Sequence, residues 1–467
     1  MSSTMYPRRW GILQIINMGT LISTLDVGIV NVILPNMAQQ YDITLAQIQW
    51  VATAYLLTMV ALLPFLGKIS DKWDRRHIYS FGFLIFSVGS MCIALSDSFS
   101  GLLISRCLQG VGATMIMANS QALVRQVFPD HERGRALGMN AIVVAAGTMG
   151  GPALGGILLE WVSWPWLFWI NVPIGLVAFV LGLRWFPRAK SKGVATSFDL
   201  LGSFLLAGSL CLLMLAAEGS KEHGFTMSIV AEATGGVLAL IVLIWYERRL
   251  PDGILDHELF RNRTVFIGNM SSFLMNLAQT ATLIPIAFYL QSVLGFSAWK
   301  TGILMILQPL MMGIVAPYAG RIRDLYGAHF LIKSGAALGA VSMLVVVCFP
   351  SLSQLAIGLQ LALFGIGMGL FHATMNAEIM SAAPETKLSL AGSLLAMVRY
   401  MGQIAGIGLA TLMVGHMGVD GGDSGEISLL MRILFGISCI SCLVVVGMVR
   451  TLSLNKPSSI ESLTQSK

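Results

Sequence analysis

Long apolar runs alternate with short, basic, polar loops along the whole chain. Fourteen runs are long enough to count, at 10–34, 47–67, 78–96, 99–124, 136–159, 165–187, 199–217, 227–246, 264–290, 300–320, 330–349, 352–378, 389–414 and 428–450. Each approaches or exceeds the ~20 residues that a helix needs to cross a hydrocarbon core of ~30 Å. The runs are continuous and do not alternate apolar with polar, which excludes a membrane β-barrel. The pattern predicts an all-α membrane protein with fourteen transmembrane helices.

A second pattern is laid over the first. Pro64–Asp71 (PFLGKISD) recurs as Pro317–Asp324 (PYAGRIRD), at an offset of 253 residues between Pro64 and Pro317. Both copies lie where an apolar run stops and a basic loop begins. An internal repeat placed this way signals a secondary transporter built from two related halves. The first copy follows segment 2 and the second follows segment 10, so two extra segments stand between the halves. The pair at 199–246, after the basic linker Arg184–Lys192, is the natural insertion. The predicted organisation is a six-helix half at 1–198, an inserted pair at 199–246, a six-helix half at 247–450 and a polar tail at 451–467.

Composition agrees and charge adds orientation. Hydrophobic residues make up 55% of the chain and charged residues 11%, where a soluble domain carries about 25% charged residues. With the N-terminus placed in the cytoplasm, twenty-four of the 29 Lys and Arg fall on the inner side. This positive-inside bias predicts that both termini are cytoplasmic. The net charge of +6 therefore reports topology and does not argue for nucleic-acid binding. Arg8 and Arg9 precede a first run too long for a signal peptide and interrupted by Asp26, so that run is expected to remain as a helix. All six cysteines lie in apolar runs, and the Cys439/Cys442 spacing reads as packing before redox or metal chemistry.

Intramembrane charges are the strongest chemical signal, because each is expensive in lipid. Asp26 lies ~12 Å from the outer end of segment 1 and Arg106 ~10 Å from that of segment 4, at 1.5 Å rise per residue. The matching depths allow an ion pair, direct or through water. It would be either a proton-coupling element or a static link between two helices. Arg399 sits near mid-membrane in segment 13, one turn before Gln403. Glu232 reads as interfacial, and His372, Asn376 and Glu378 lie near the inner end of segment 12.

Several motifs resemble the major facilitator superfamily. The loop Gly67–His77, with Gly67, Asp71 and Arg75, resembles its G-x-L-a-D-r-x-G-r-r/k loop, with Asp74 where that pattern has glycine; Gly320 and Asp324 are its second copy. Gly67 is expected to end its helix in a left-handed conformation. The run through Arg106 and Gln109 resembles the R-x-x-q-G-x-g-a motif, which implies proton coupling at Asp26 and Arg106. Gly147, Gly151, Pro152, Gly155 and Gly156 resemble the g-x-x-x-G-P-x-x-G-G pattern of drug/proton antiporters. The run around Asp26 and Asn31 resembles the family's first-helix motif with Gly28 replacing threonine, and Trp164–Gly175 resembles its helix-six motif. With fourteen segments, the chain resembles the EmrB/QacA-type fourteen-helix drug/proton antiporters.

That resemblance implies a proton-coupled multidrug efflux antiporter of the bacterial inner membrane, working by alternating access between the six-helix halves. Asn31, Gln109, Arg399 and Gln403 are the candidates for lining or gating its cavity. The expected partners are protons, a small-molecule substrate and the lipid bilayer, with a monomeric chain, no nucleic acid, no cofactor and no metal. A symporter importing a small organic solute is the rival within transporters, and the segment-5 glycine-proline pattern argues against it. No catalytic constellation appears, and Gly67-Lys68 is followed by Ile69, so no P-loop is encoded. Asp26 is the only acidic residue well inside the non-inserted segments. This favours singly charged lipophilic cations or neutral compounds over dications, with weakly acidic amphipaths as the alternative that Arg399 leaves open.

Overall fold

Every apolar run is helical in the computed structural model, which describes residue 6 and residues 8–43, 45–159, 161–187, 200–223, 226–247, 249–250, 257–296, 298–348, 353–384, 387–415 and 424–452. No strand occurs among the described residues. Eleven stretches among them are long and apolar enough to cross a membrane. The runs at 136–159, 199–217 and 264–290 lie in helices of 30, 24 and 30 residues that fall outside that set.

Contacts divide the chain into two units. The first comprises Met1–Ala136, Ala146–Glu258 and Pro384–Met397; the second comprises Leu137–Ala145, Leu259–Ala383 and Val398–Lys467. The helices associated with the first unit are α1 (Arg9–Tyr41), α2 (Leu45–Lys72), α3 (Arg75–Ala94), α4 (Phe99–Val127), α5 (Asp130–Leu159), α6 (Pro165–Trp169), α7 (Asn171–Trp185), α8 (Leu200–His223) and α9 (Met227–Glu247). Those associated with the second are α10 (His257–Arg261), α11 (Arg263–Ser292), α12 (Ala298–Met305), α13 (Leu307–Tyr326), α14 (Ala328–Cys348), α15 (Gln354–Ala382), α16 (Leu388–Gly415) and α17 (Ser424–Arg450), while α5 gives Leu137–Ala145 to the second unit and α16 gives its start, up to Met397, to the first.

Helix ends follow local chemistry. Asp42 closes α1 in the left-handed conformation, which a short polar side chain tolerates. Ser98, Asn262 and Ser353 cap α4, α11 and α15 by accepting a hydrogen bond from a first-turn amide, as N-cap residues do. Gly67 does not end its helix: α2 runs on to Lys72, because the two residues that break it, Trp73 and Asp74, lie further on. Asp74 is the N-cap of α3, its carboxylate accepting from the Arg76 amide at 3.0 Å. The departure from glycine at this position therefore starts the next helix. In the second copy of the loop, Gly327 (φ 82°) ends α13.

Within the first unit the helices meet at small residues. A Cβ on Gly112 of α4 would lie 2.7 Å from Phe86 Cα and 2.8 Å from Gly82 O of α3, and one on Gly89 would lie 2.6 Å from the Gln109 amide. Ser80 and Ser87 of α3 face Gly182 and Gly175 of α7. In lipid, where burial of apolar surface does not distinguish helix from solvent, such close backbone approach supplies van der Waals contact. α8 and α9 pack against each other, Gly236 of α9 resting on Leu213 and the Ser209 carbonyl of α8. Val237, Leu238, Ile241 and Val242 of α9 remain exposed, as a lipid-facing surface requires.

The second unit uses the same device. A Cβ on Gly367 of α15 would lie 2.6 Å from Gly335 O and 3.1 Å from the Gly339 amide of α14, and one on Gly365 would lie 3.0 Å from Gln308 Cα of α13. Gly402 and Gly406 of α16 approach the Phe273 and Leu277 carbonyls of α11 at 2.5 and 2.6 Å by the same measure. Cys442 and Cys439 of α17 are buried and free; Cys442 packs near Gly339 and Cys439 near the Ala340 carbonyl of α14.

Gly112→Ala should lower the apparent melting temperature of the detergent-solubilised protein, since the backbone it meets cannot yield and overpacking costs ~1–3 kcal/mol. Gly208→Ala, which meets nothing within 4 Å, should melt at or above the wild-type temperature. Equal melting of the two variants would refute the close α3–α4 contact.

Candidate functional site

Arg106 and Asp26 form a buried ion pair at the centre of the first unit, 0% and 2% exposed. Arg106 Nη1 donates to Asp26 Oδ2 at 2.6 Å and to Gln109 Oε1 at 2.5 Å, while its Nε donates to the Val51 carbonyl at 2.8 Å. Gln109 Nε2 donates to Asp26 Oδ1 at 2.9 Å and to Ser90 Oγ at 2.8 Å. Asp26 thus accepts at both oxygens, the role of an ionised carboxylate. The guanidinium lies over the Tyr55 ring at 4.6 Å, with Phe168 at 6.0 Å.

The glycines of α4 make this convergence possible. Gly89 and Gly112 draw α3 against α4, which sets Ser90 beside Gln109. Gly110 faces Thr58 and the Tyr55 carbonyl of α2, so the α2 backbone comes within reach of Arg106. An apolar cluster then closes one side of the pair. Val30, Ile33 and Met37 of α1, Ile48 and Val51 of α2, Ile93, Leu102, Trp164, Leu167 and Phe168 pack together there. Such surroundings strengthen the attraction between the two charges and make either one alone costly.

The back of the same turn of α1 is gripped by α5. Gly147 faces Thr24, Gly151 lies against Gly28, and Gly155 faces Ile29; a Cβ on Gly151 would lie 2.6 Å from Gly28 Cα. Glycine at position 28 is what admits this approach, which accounts for its place where the first-helix pattern has threonine.

The remaining sequence candidates are distributed as follows. Gln109, expected to line a cavity, is 0% exposed and bridges Asp26 and Ser90, because the close α3–α4 approach encloses it. Arg399 and Gln403 lie on one face of α16, and Gln403 Nε2 reaches Asn276 Oδ1 of α11 at 3.5 Å. Arg399 is half-buried, and His372 of α15 is buried. Glu378 of α15 is ion-paired with Arg323 of α13. Arg75 is the first residue of α3. For Asn31, Asp71, Pro152, Gly156, Gly320 and Asp324 the described structure extends only to a helical backbone. Sequence reasoning did not single out Ser90, Tyr55 or the Val51 carbonyl. Their helices are brought in by packing at Gly89 and Gly110, a tertiary signal with no local pattern.

The description "Major Facilitator Superfamily" belongs to a family model that matches residues 16–407. The chain belongs to this superfamily. It is 34% identical over 393 residues to the riboflavin transporter RibZ of Clostridioides difficile (strain 630), covering 84% of this chain and 85% of that one. It is 32% identical over 416 residues to the uncharacterized transporter YebQ of Escherichia coli (strain K12), covering 89% and 91%. To the "Putative multidrug resistance protein MdtD" of Escherichia coli O7:K1 it is 30% identical over 425 residues, covering 89% of each. The human organic anion transporter MFSD10 (TETRAN) superposes with a TM-score of 0.67 at 16% identity, covering 94% of this chain and 100% of that one; this likeness concerns the fold alone. The chain is a multi-pass membrane transporter of the major facilitator superfamily.

In this superfamily member Asp26→Asn or Arg106→Met alone should each destabilise the solubilised protein, since breaking a buried pair costs ~3–5 kcal/mol. The double variant should recover a large part of that loss. Additive effects in thermal unfolding would show that the pair is not energetically coupled.

Proposed function

We propose that this transporter is a proton-coupled antiporter of the fourteen-helix type that exports lipophilic organic compounds by alternating access. The buried Asp26–Arg106 pair carries the reading. A carboxylate that loses its guanidinium in a low-dielectric site is relieved by taking up a proton. A conformational step that separates Asp26 from Arg106 therefore binds a proton, and the step that rejoins them expels it. This gives the differential binding between states that coupling requires. The α5 glycine seam, seated on Thr24, Gly28 and Ile29, is placed to move that turn of α1 relative to α4.

The proposed layout is six helices, an inserted pair and six helices, with both termini cytoplasmic in a bacterial inner membrane. Internal contacts support the repeat. Gly112 packs on Gly82 and Phe86, and Gly367 on Gly335 and Gly339; Gly110 meets the Tyr55 carbonyl, and Gly365 meets Gln308. Gly82 and Gly335, Phe86 and Gly339, and Tyr55 and Gln308 each stand 253 residues apart, the offset that separates Pro64 from Pro317. Export is supported by the glycine-proline pattern of α5 and by likeness to a relative named for multidrug resistance. A symporter of a small organic solute is the second reading, since the same pair would couple symport and another relative is named for riboflavin transport.

Expression in a pump-deficient bacterial host should confer resistance to part of a panel of lipophilic compounds. Asp26→Asn should remove that resistance when the two are compared at a matched amount of membrane-inserted protein. Resistance retained by Asp26→Asn would reduce the pair to a structural link.

Single cysteines introduced at Ser191 and Ser459 should resist an impermeant thiol reagent added to intact cells, while one at Ser424 should react. Labelling at Ser191 from outside would overturn the proposed topology.

A further inference from the structure

A basic and aromatic cluster gathers where α1 begins. Arg8 is exposed, and its guanidinium lies over the Trp185 ring of α7, 5.6 Å from the centroid. Arg135 of α5 is also exposed and lies over the Trp10 ring at 5.0 Å. Trp10 is seated edge-on against Phe128, with centroids 5.1 Å apart. Trp185 packs on Gly11, where a Cβ would lie 2.8 Å from the ring. Between the two stacks Arg9 is bonded to Glu132 of α5 at 2.7 and 3.0 Å. Packing therefore holds both exposed arginines at the rim of the first unit.

Their charge remains unspent. A ring attracts a cation through its quadrupole, but it does not neutralise a guanidinium or take up the five N–H donors of its planar fork. Among the described residues neither Arg8 nor Arg135 has an ion pair or a side-chain hydrogen bond, and the Glu132 carboxylate is committed to Arg9. Arg184, exposed and one residue before Trp185, has none either. Arg8 is moreover the N-cap of α1, with no side-chain cap and no acidic residue in the first turn. It adds to the positive pole of that helix instead of offsetting it. Free guanidinium forks beside an uncapped helix start are suited to a phosphate.

Depth and surface identify which phosphate. Arg9 opens one membrane-spanning stretch and Trp185 closes another, so the cluster lies at the boundary between hydrocarbon and water, where tryptophan settles. Leu176, Val177, Val180 and Arg184 share one face of α7 at helical spacing, and all four are exposed. An apolar stripe thus runs into the hydrocarbon from beside a free cation. A phosphate ion would use the cation alone. A phospholipid fits both features, its phosphate on the guanidinium and an acyl chain along the stripe. Three uncompensated positive charges favour a headgroup of net negative charge over a zwitterionic one.

We propose that Arg8, Arg135 and Arg184, ordered by Trp185 and Trp10, form a binding site for anionic glycerophospholipid at the membrane face where α1 begins. The site requires no particular substrate and stands apart from the coupling chemistry proposed above.

Lipid binding is read by native mass spectrometry of the full-length protein in detergent micelles, titrated with dioleoyl-phosphatidylglycerol or dioleoyl-phosphatidylcholine. Phosphatidylglycerol should bind at least tenfold more tightly than phosphatidylcholine. The variant Arg8→Gln/Arg135→Gln/Arg184→Gln should lose at least tenfold of that affinity. The corresponding triple change to Lys, which keeps the charge without the fork, should fall between it and the wild type. Trp185→Leu changes no charge and should weaken binding at least threefold. Arg450→Gln, which removes an exposed cation from the end of α17, should stay within twofold of the wild type. If the triple Gln variant does not fold, Arg8→Gln and Arg135→Gln decide singly, each losing at least threefold. Equal affinity for the two lipids, or a folded Gln variant that binds like the wild type, would overturn the proposal. So would an Arg450→Gln loss as large as that of the triple variant, which is the diffuse attraction of a basic face. Inorganic phosphate binding as tightly as phosphatidylglycerol would assign the cluster to a free ion and overturn it equally.

Discussion

Two opposite charges held out of water in the middle of a helix bundle constrain everything else in the first unit. Asp26 and Arg106 are tolerable there because each satisfies the other and because Gln109, Ser90 and the Val51 carbonyl take up the remaining hydrogen-bonding capacity. That arrangement requires α2, α3 and α4 to come closer than ordinary side chains permit, and the glycines at 89, 110 and 112 provide the approach. The pair also has a simple alternative state. Arg106 cannot shed its charge, whereas a carboxylate can lose its charge by gaining a proton. In the proposed function, a motion that parts the two helices would be tied to proton uptake, and the packing constraint would serve as a coupling device.

The proposed repeat sharpens this point through its asymmetry. Taking the offsets defined by Gly82 and Gly335 on one helix and by Gly112 and Gly367 on the next, the counterparts of Arg106, Gln109 and Ser90 in the second unit are Leu361, Phe364 and Met343. All three are buried. The helix-packing glycines recur while the charged network does not. The second unit instead carries Arg399, on a helix with no carboxylate at its depth.

Much of this was legible in the chain. Continuous apolar runs located the long helices, since in lipid a spanning segment must satisfy its own backbone hydrogen bonds. Asp26 and Arg106 stood out because charge is scarce in such runs, and their equal depths anticipated their contact. What escaped was whatever depends on how neighbouring helices turn toward one another. Gln109 read as a cavity residue, yet the α3–α4 approach encloses it. Ser90 and Tyr55 are unremarkable in isolation and matter only through glycines on a different helix. Gly67 looked like a helix terminator, but the helix ran on until Trp73 and Asp74 broke it and Asp74 capped the next.

The most direct test is proton movement driven by substrate in reconstituted vesicles. The purified protein is incorporated into proteoliposomes holding a pH-reporting dye, and a compound found in the resistance panel is supplied on one side. The account predicts that protons cross opposite to the compound, and that Asp26→Asn abolishes this movement while the variant remains folded in the bilayer. Proton movement of the same size in Asp26→Asn, or protons travelling with the compound, would contradict it.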